Sequence, residues 1–301
     1  MTGTGKREHS QETAIQVRRR ETALIRSLEA VDADDEIRFE DEGWDSRVYL
    51  VNGGEAVFKF PRSAEIQVGY AREIAVLRMV ESRDLAVRTP KVRWVGPGHS
   101  YFGYLGIPGR TLENVGLLPP EERGRIGRML GRAARELHTL EMPGMRVMSI
   151  DDEIAYFQQK YLLAAPVVGQ HFSARQRLAL DEFYSEFMPA EMTRLGGEPR
   201  LCHGDLGPWN VVVGTDASVG IIIDFGDVCQ CDRSKDLIGL FDPVMLDAAL
   251  GAYGDSERLR EKIAVRAKAL PAMDLVFFDG KRDAHGLILC VGRIRSAFAF
   301  E

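Results

Sequence analysis

Several features that would place a chain quickly are missing here. There is no G-x-x-x-x-G-K-[ST] segment, so no P-loop cradles nucleotide phosphates. No run of about eighteen apolar residues occurs, so no membrane-spanning helix is expected. Cysteine is scarce. The 4 residues Cys202, Cys229, Cys231 and Cys290 fit neither a zinc pattern nor a disulfide framework. Cys229 and Cys231 lack partner ligands and read as small buried side chains, which suits a reducing, cytoplasmic setting. A basic excess is also absent: 39 Lys and Arg against 45 Asp and Glu leave a net charge of −6, which argues against a nucleic-acid groove. Residues 1–20 are polar and lack the apolar stretch of a secretory leader, and the first ten are expected to be disordered. No repeat or low-complexity segment interrupts the chain. What remains is ordinary for an enzyme: 301 residues, 45% hydrophobic and 28% charged, enough for two lobes and a sizeable core.

Against this background one stretch stands out. His203-Gly204-Asp205 is followed by Asn210, an apolar run, and Asp224-Phe225-Gly226-Asp227. The pattern is H-x-D-x-x-x-x-N and then D-F-G, the order found in the catalytic half of a kinase site. Phosphoryl transfer needs a nucleophile aligned with the γ-phosphate and neutralised phosphate charge, and little covalent help. Asp205 is the candidate to accept or orient the proton of an attacking hydroxyl. Asn210 and Asp224 offer oxygen atoms, which hard divalent cations such as Mg²⁺ prefer. Val211 to Val213 reads as a strand, Gly214-Thr215-Asp216 as a turn and Val219 to Ile223 as the returning strand. Such a hairpin would bring Asn210 and Asp224 together. His203 is expected to hold the loop by hydrogen bonds. Trp209, directly before Asn210, has no role that the sequence explains.

A kinase lobe of this kind needs a nucleotide-binding partner upstream: a Gly-containing turn, a strand with a lysine, then a helix with a glutamate. Ile37 to Phe39 and Arg47 to Val51 read as strands joined by the turn 41–46, which contains Gly43 and ends at Ser46. Ala56 to Phe60 is a further strand, stopped by Pro61, and it carries Lys59. Residues 70–80 have apolar side chains at helical spacing, with Glu73 placed in the first turns and able to pair with Lys59. Ser46 is a candidate phosphate contact through its hydroxyl or its amide.

With these residues in hand, the chain resembles the aminoglycoside phosphotransferase family, and most of all the aminoglycoside 2''-phosphotransferases. The likeness rests on Gly43 to Ser46, Tyr49 to Asn52, Phe58 to Pro61, Arg72-Glu73, Tyr104 to Gly109, His203 to Asp205, Asn210 and Ile223 to Asp227. It covers about residues 35 to 240. The resemblance implies a bilobal, protein-kinase-like α+β fold. A small β-rich lobe would span residues 1–104 with an opening helix, and a larger, mainly helical lobe residues 105–301. It implies two Mg²⁺ ions and ATP or GTP as donor. The acceptor would be an aminoglycoside hydroxyl, the 2''-OH, so that the activity confers drug resistance. Macrolides, sugars or choline-like alcohols are the alternative acceptors. Tyr104 to Ile107 would form the hinge that binds the purine edge. No nucleic-acid or membrane partner is expected, and a monomer is.

The resemblance has departures. One glycine, Gly43, stands where protein kinases carry G-x-G-x-x-G, and Arg233 stands where relatives often have proline. Asp236 matches a loop-bracing carboxylate, with an exposed helix cap as the other reading. For the acceptor, Asp227 and Asp232 are candidate ammonium ligands. Tyr156, Phe157 and Tyr161 either line the acceptor cleft or pack in the core. Asp151 to Glu153 read as charge at a helix start or as further ammonium ligands. Helices are expected over 12–30, from Pro119 through Leu140, over 154–163, 174–187, 237–253 and 257–270, and over 283–300, where the apolar residues 297–300 are expected to pack on the larger lobe.

Overall fold

The computed structural model describes residues 13–300 apart from 30, 42, 44, 84, 86, 113, 114, 215–219 and 255. The disorder expected for the first ten residues, the Trp44 part of the Gly43 turn, and the 215–219 turn lie outside the described residues.

Helix α1 (Ala14–Arg26) starts at Thr13. The Thr13 hydroxyl accepts the Gln16 N–H, and the Gln16 side chain accepts the Thr13 N–H, so two otherwise orphaned donors are satisfied. Then come β1 (Ile37–Glu40), β2 (Ser46–Val51), β3 (Ala56–Pro61), α2 (Ala64–Glu81), β4 (Lys91–Val95) and β5 (Phe102–Leu105). The strands pair antiparallel in the order β1-β2-β3-β5-β4. Alternation along each strand sorts the side chains into two faces. Tyr49, Val51, Phe58 and Phe60 pack with Ile25 of α1. Val57, Phe102 and Tyr104 pack with Ile74 and Leu77 of α2. A buried ion pair fixes α1: Glu21 accepts Arg47 Nη2 at 2.7 Å and the Tyr49 hydroxyl at 2.8 Å.

The rest of the chain is mainly helical. It runs through β6 (Gly109–Thr111), α3 (Pro120–Leu137), α4 (Ile150–His171), α5 (Ala174–Glu182), α6 (Met188–Leu195), β7 (Pro199–Cys202), β8 (Val211–Gly214), β9 (Gly220–Ile222) and β10 (Cys229–Asp232). It ends with α7 (Pro243–Tyr253), α8 (Glu257–Ala269), α9 (Pro271–Lys281) and α10 (Ala284–Ala297). The short strands form a β6-β8-β9 sheet and a β7-β10 ribbon. Helices α3 and α7 cross in backbone contact. A Cβ at Gly127 would lie 2.2 Å from the Met245 carbonyl oxygen, and one at Gly131 would lie 2.1 Å from that of Ala249. Phe298 and Phe300, at the chain's apolar end, pack against Phe183 and Phe172. Among the described residues no helix is long and apolar enough to cross a membrane.

Several boundaries differ from expectation. Helix α2 begins at Ala64, where the Ser63 hydroxyl accepts the Ile66 N–H, so Glu73 sits mid-helix rather than in the first turns. Helix α7 starts only at Pro243, capped by the Asp242 carboxylate, and residues 233–237 form a tight 3₁₀ segment. Helix α9 was not expected. Pro271 looks like a break, but it occupies the first turn, where no N–H is needed.

Candidate functional site

The catalytic loop hangs from the end of β7. Asp236 is fully buried and braces it: Oδ2 accepts the His203 N–H and Oδ1 the Gly204 N–H, each at 2.8 Å. Asp236 also meets His138 Nε2 at 3.1 Å, and His138 Nδ1 meets the Tyr253 hydroxyl at 2.9 Å. Burial pushes the Asp236 carboxyl up, but the His138 contact and the Gly204 N–H outweigh it and hold it below the usual range. Asp236 is therefore a brace, not an exposed cap. Cys202 lies close enough to His138 and Asp236 for the three to ligate a cation, but Asp236 is already committed to the loop's amides. His203 donates from Nε2 to the Ile223 carbonyl at 3.0 Å and accepts the Asp205 N–H at Nδ1. Its work is to hold the loop, as its place in the motif suggests.

Gly204 adopts φ 92°, and a Cβ there would lie 2.2 Å from the Asp227 carbonyl oxygen. Here the catalytic loop crosses the segment that follows Asp224, and only glycine fits. One residue on, Asp205 Oδ2 accepts Asn210 Nδ2 at 2.9 Å and Trp209 Nε1 at 3.2 Å. Burial pushes the Asp205 carboxyl up to about 6, against the downward pull of Trp209, His203 and Asn210.

The β8–β9 hairpin brings the second carboxylate in. Val211 pairs with Ile222, and the Ile223 N–H donates to the Asn210 carbonyl at 2.9 Å. Asp224 follows at φ 65° and ψ 68°, a left-handed conformation that costs a non-glycine residue about 1–3 kcal/mol. Such strain persists only where the surroundings over-determine it. Lys59 Nζ reaches across from β3, donating to Glu73 Oε1 at 2.8 Å and to Asp224 Oδ1 at 2.9 Å. Burial works against the Lys59 ammonium, but the two carboxylates keep it well above its ordinary pKa. Lys59 is the largest influence holding Asp224 below its own. The Asn210 amide oxygen accepts from none of the described residues, and Asp224 bonds Lys59 through one oxygen. Two oxygen donors that flank the adjoining ends of β8 and β9 are a chemically suitable pair for Mg²⁺.

Tyr104 is buried beside Lys59, pairing with Val57 across β3 and β5, and burial pushes its hydroxyl up. Beyond it the Gly106 N–H donates to the Glu55 carbonyl, and the Ile107 carbonyl faces Gly54, so the 105–107 segment is seated on the β2–β3 turn. The Ser46 hydroxyl is not free for phosphate. It is buried and bonded to the Tyr70 hydroxyl at 2.7 Å, where it ties the sheet to α2.

Around Asp205 the acceptor candidates divide. Asp227 is exposed beside the loop crossing, and its charge bears on Asp205 and on Asp45, whose carboxyl is raised by burial and then by Asp227 and Asp224. Tyr156 is half-exposed and feels Lys235, Asp227 and Asp205. Asp232 and Tyr161 are corrected to structural roles. Asp232 is 3% exposed, paired with Lys262 at 2.7 Å and accepting from Ser234. Tyr161 is buried, stacked on Tyr184 at 4.2 Å and donating to Asp181. Of the charges at the start of α4, Glu153 is buried against Arg266 and Asp152 caps the helix. The sequence reading missed Trp209 as a partner of Asp205, and Phe241, Arg293 and Asp274 as its neighbours. Phe241 lies stacked by Trp209 at 6.2 Å, Arg293 sits 4.4 Å over the Phe241 ring, and Asp274 pairs with Arg293. Burial pushes the Asp274 carboxyl up to about 6, and Asp205 adds to that. The one available signal was an aromatic residue wedged between Gly207 and Asn210.

A sequence model of the phosphotransferase enzyme family matches residues 36–269. Among solved structures, the GDP complex of wild-type aminoglycoside 2'-phosphotransferase-IIIa superposes with a TM-score of 0.74 at 20% identity, covering 93% of this chain and 98% of that one. The streptomycin-ATP ternary complex of APH(2")-IIa gives 0.66 at 19%, covering 93% and 97%. Macrolide 2'-phosphotransferase MphH from Brachybacterium faecium gives 0.63 at 21%, covering 91% and 96%. At such identities the likeness is one of fold: a small antiparallel sheet followed by a helical region, in the α+β, protein-kinase-like arrangement.

Proposed function

The chain belongs to the phosphotransferase enzyme family, and from that premise we propose that it transfers the γ-phosphoryl group of ATP or GTP to a hydroxyl of a small molecule. One observation carries the reading. Asp205, Asn210 and Asp224 converge from two crossing loops, and Lys59 ties Asp224 to Glu73 across the sheet. In this reading Asp205 takes or orients the proton of the acceptor hydroxyl. Lys59, aimed by Glu73, holds the α- and β-phosphates. Tyr104 backs the purine pocket, and the backbone up to Ile107 meets the purine edge. Asn210 and Asp224 would hold the two Mg²⁺ ions, which when bound neutralise charge on the phosphates. The small lobe is residues 1–104 and the large one 105–301, and the enzyme works as a cytoplasmic monomer.

We propose an aminoglycoside as acceptor, attacked at its 2''-hydroxyl. Asp227 and Asp274 add negative charge around Asp205, and Asp45 adds more beside Asp227 and Asp224. Ammonium groups would relieve that crowding. A second reading, a macrolide, is favoured by the half-exposed rings of Trp209, Phe241 and Tyr156, which offer apolar surface. The test is nucleoside-diphosphate release with ATP and with GTP, against kanamycin, gentamicin and erythromycin, with Asp205→Asn as control. Release stimulated by the aminoglycosides alone supports the first reading, and by erythromycin alone the second. An Asp205→Asn chain that keeps wild-type turnover would overturn the assignment of Asp205.

A further inference from the structure

Trp209 occupies a setting that packing alone does not require. The residue is 37% exposed, so it is not there simply to be buried. Its single polar atom, Nε1, is spent on Asp205 Oδ2 at 3.2 Å, the same oxygen that accepts Asn210 Nδ2 at 2.9 Å. Asp205 Oδ1 accepts from none of the described residues. Two glycines make room for the indole. A Cβ at Gly207 would lie 2.4 Å from its Cζ2, and a Cβ at Gly239 2.9 Å from its Cη2. Phe241 lies against the ring at 6.2 Å with the planes 29° apart, and so limits its tilt. The chain thus gives up side chains at two positions, on two segments, to keep one N–H on one carboxylate oxygen.

We propose that Trp209 is a positioning residue for Asp205. Its indole N–H and the Asn210 amide together clamp Oδ2, so that Oδ1 is the oxygen offered to the acceptor hydroxyl. The inference rests on the phosphotransferase reading of Asp205. A carboxylate held through one donor can turn about its Cβ–Cγ bond, whereas two donors from different side chains on one oxygen fix its plane. Asn210 has a second duty, since its amide oxygen is a cation ligand in the same reading. The indole has none, and it holds the carboxylate independently of what Asn210 binds. A hydrogen bond to an ionised acceptor is worth roughly ten- to a hundredfold in an equilibrium, and at 3.2 Å the lower end applies.

The test is a double-mutant cycle. Trp209→Phe keeps an aromatic ring at this position and removes the donor, together with part of the indole's bulk. Replacement of Trp209 by benzothienylalanine, which has the indole's shape without its N–H, guards against a packing defect in the phenylalanine variant. Turnover is read as nucleoside-diphosphate release with ATP and GTP, with kanamycin, with erythromycin and with water alone as acceptor. Either variant is expected to lose about tenfold in kcat with the nucleotide KM near wild type. Neither is expected to lose anything further in an Asp205→Ala background. An equal loss in both backgrounds would mean that Trp209 acts through the fold and would overturn the proposal, as would wild-type kcat in both variants. Wild-type turnover in Asp205→Ala alone would instead overturn the phosphotransferase reading. A readout free of turnover runs beside these. The emission of Trp209, taken as the difference between chains with and without it, is expected to change on Asp205→Ala, and an unchanged emission would refute the contact.

Discussion

Replacing Gly204 by alanine tests whether the crossing of the two loops is what aligns the chemistry. Gly204 sits at φ 92°, and a Cβ there would lie 2.2 Å from the Asp227 carbonyl oxygen. Real Cβ contacts essentially never fall under 3.0 Å, so the carbonyl must retreat by at least the difference, 3.0 − 2.2 = 0.8 Å. The obstacle is backbone, which cannot rotate away as a flexible side chain would. The left-handed conformation costs an L-residue about 1–2 kcal/mol, and overpacking of this kind adds about 1–3 kcal/mol. A loss of about 2–5 kcal/mol in a chain of this size lowers Tm by about 3–8 °C. The chemical effect is separate. Asp227 lies three residues beyond Asp224, which is itself held in a left-handed conformation, so a shift near 1 Å there is passed to the Asp224 carboxylate, the proposed cation ligand. Misplacement on that scale costs about a hundredfold in turnover. Nucleoside-diphosphate release, measured well below the variant's melting range, reads the second effect apart from the first. Gly226→Ala is the folding control. A Cβ there would meet nothing closer than Asp224 Oδ1 at 3.5 Å, and its Tm should stay near wild type. A Gly204→Ala chain with lowered Tm but undiminished turnover would refute the link between the crossing and the alignment.

Further expectations follow from other contacts. Lys59→Ala leaves Glu73 and Asp224 without their shared cation, so turnover should fall and the nucleotide KM rise; unchanged kinetics would mean that a different lysine meets the phosphates. Gly131→Ala and Gly251→Ala should move stability in opposite directions. Both raise helix propensity by about 1 kcal/mol, but the first drives a Cβ to 2.1 Å from the Ala249 carbonyl and forces α3 and α7 apart, while the second meets nothing within 4 Å. Thermal melts that moved the same way would show that the α3–α7 contact yields freely. His138 has its pKa raised in the fold: burial works against the charge, and the Asp236 bond outweighs it. The stability it contributes is fully present below its unfolded value, about 6.5, and is lost as pH rises through the higher folded value. His138→Gln should therefore cost more stability at about pH 5.5 than at about pH 9, and urea melts showing a pH-independent cost would contradict this.

The catalytic half was legible because its logic is local. The interval between Asp205 and Asn210 is one tight loop, and the interval to Asp224 is one hairpin, so spacing in sequence becomes proximity in space. Lys59 and Glu73 were legible because strand and helix patterns announce themselves. What failed was whatever depends on the far side of a residue. Nothing near Asp232 in sequence says that Lys262 will neutralise it, and nothing near Tyr161 says that Tyr184 will stack on it. Ser46 points its hydroxyl at Tyr70, which belongs to a helix 24 residues on. Trp209 was opaque for a related reason: its glycine partners were visible, but the direction of its N–H was not.

Helix α1 has a consequence for where this protein can be cut. The stretch that matches the family begins at residue 36, after α1 has ended at Arg26. A chain trimmed to that border would uncover Tyr49, Val51, Phe58 and Phe60 on the sheet's outer side and leave Arg47 without its counter-ion. Such a piece would keep Asp205, Asn210 and Asp224 and would still be sticky, prone to clump through a face that the whole chain hides. The border of the family match and the border of the self-sufficient folding unit therefore do not coincide in this protein.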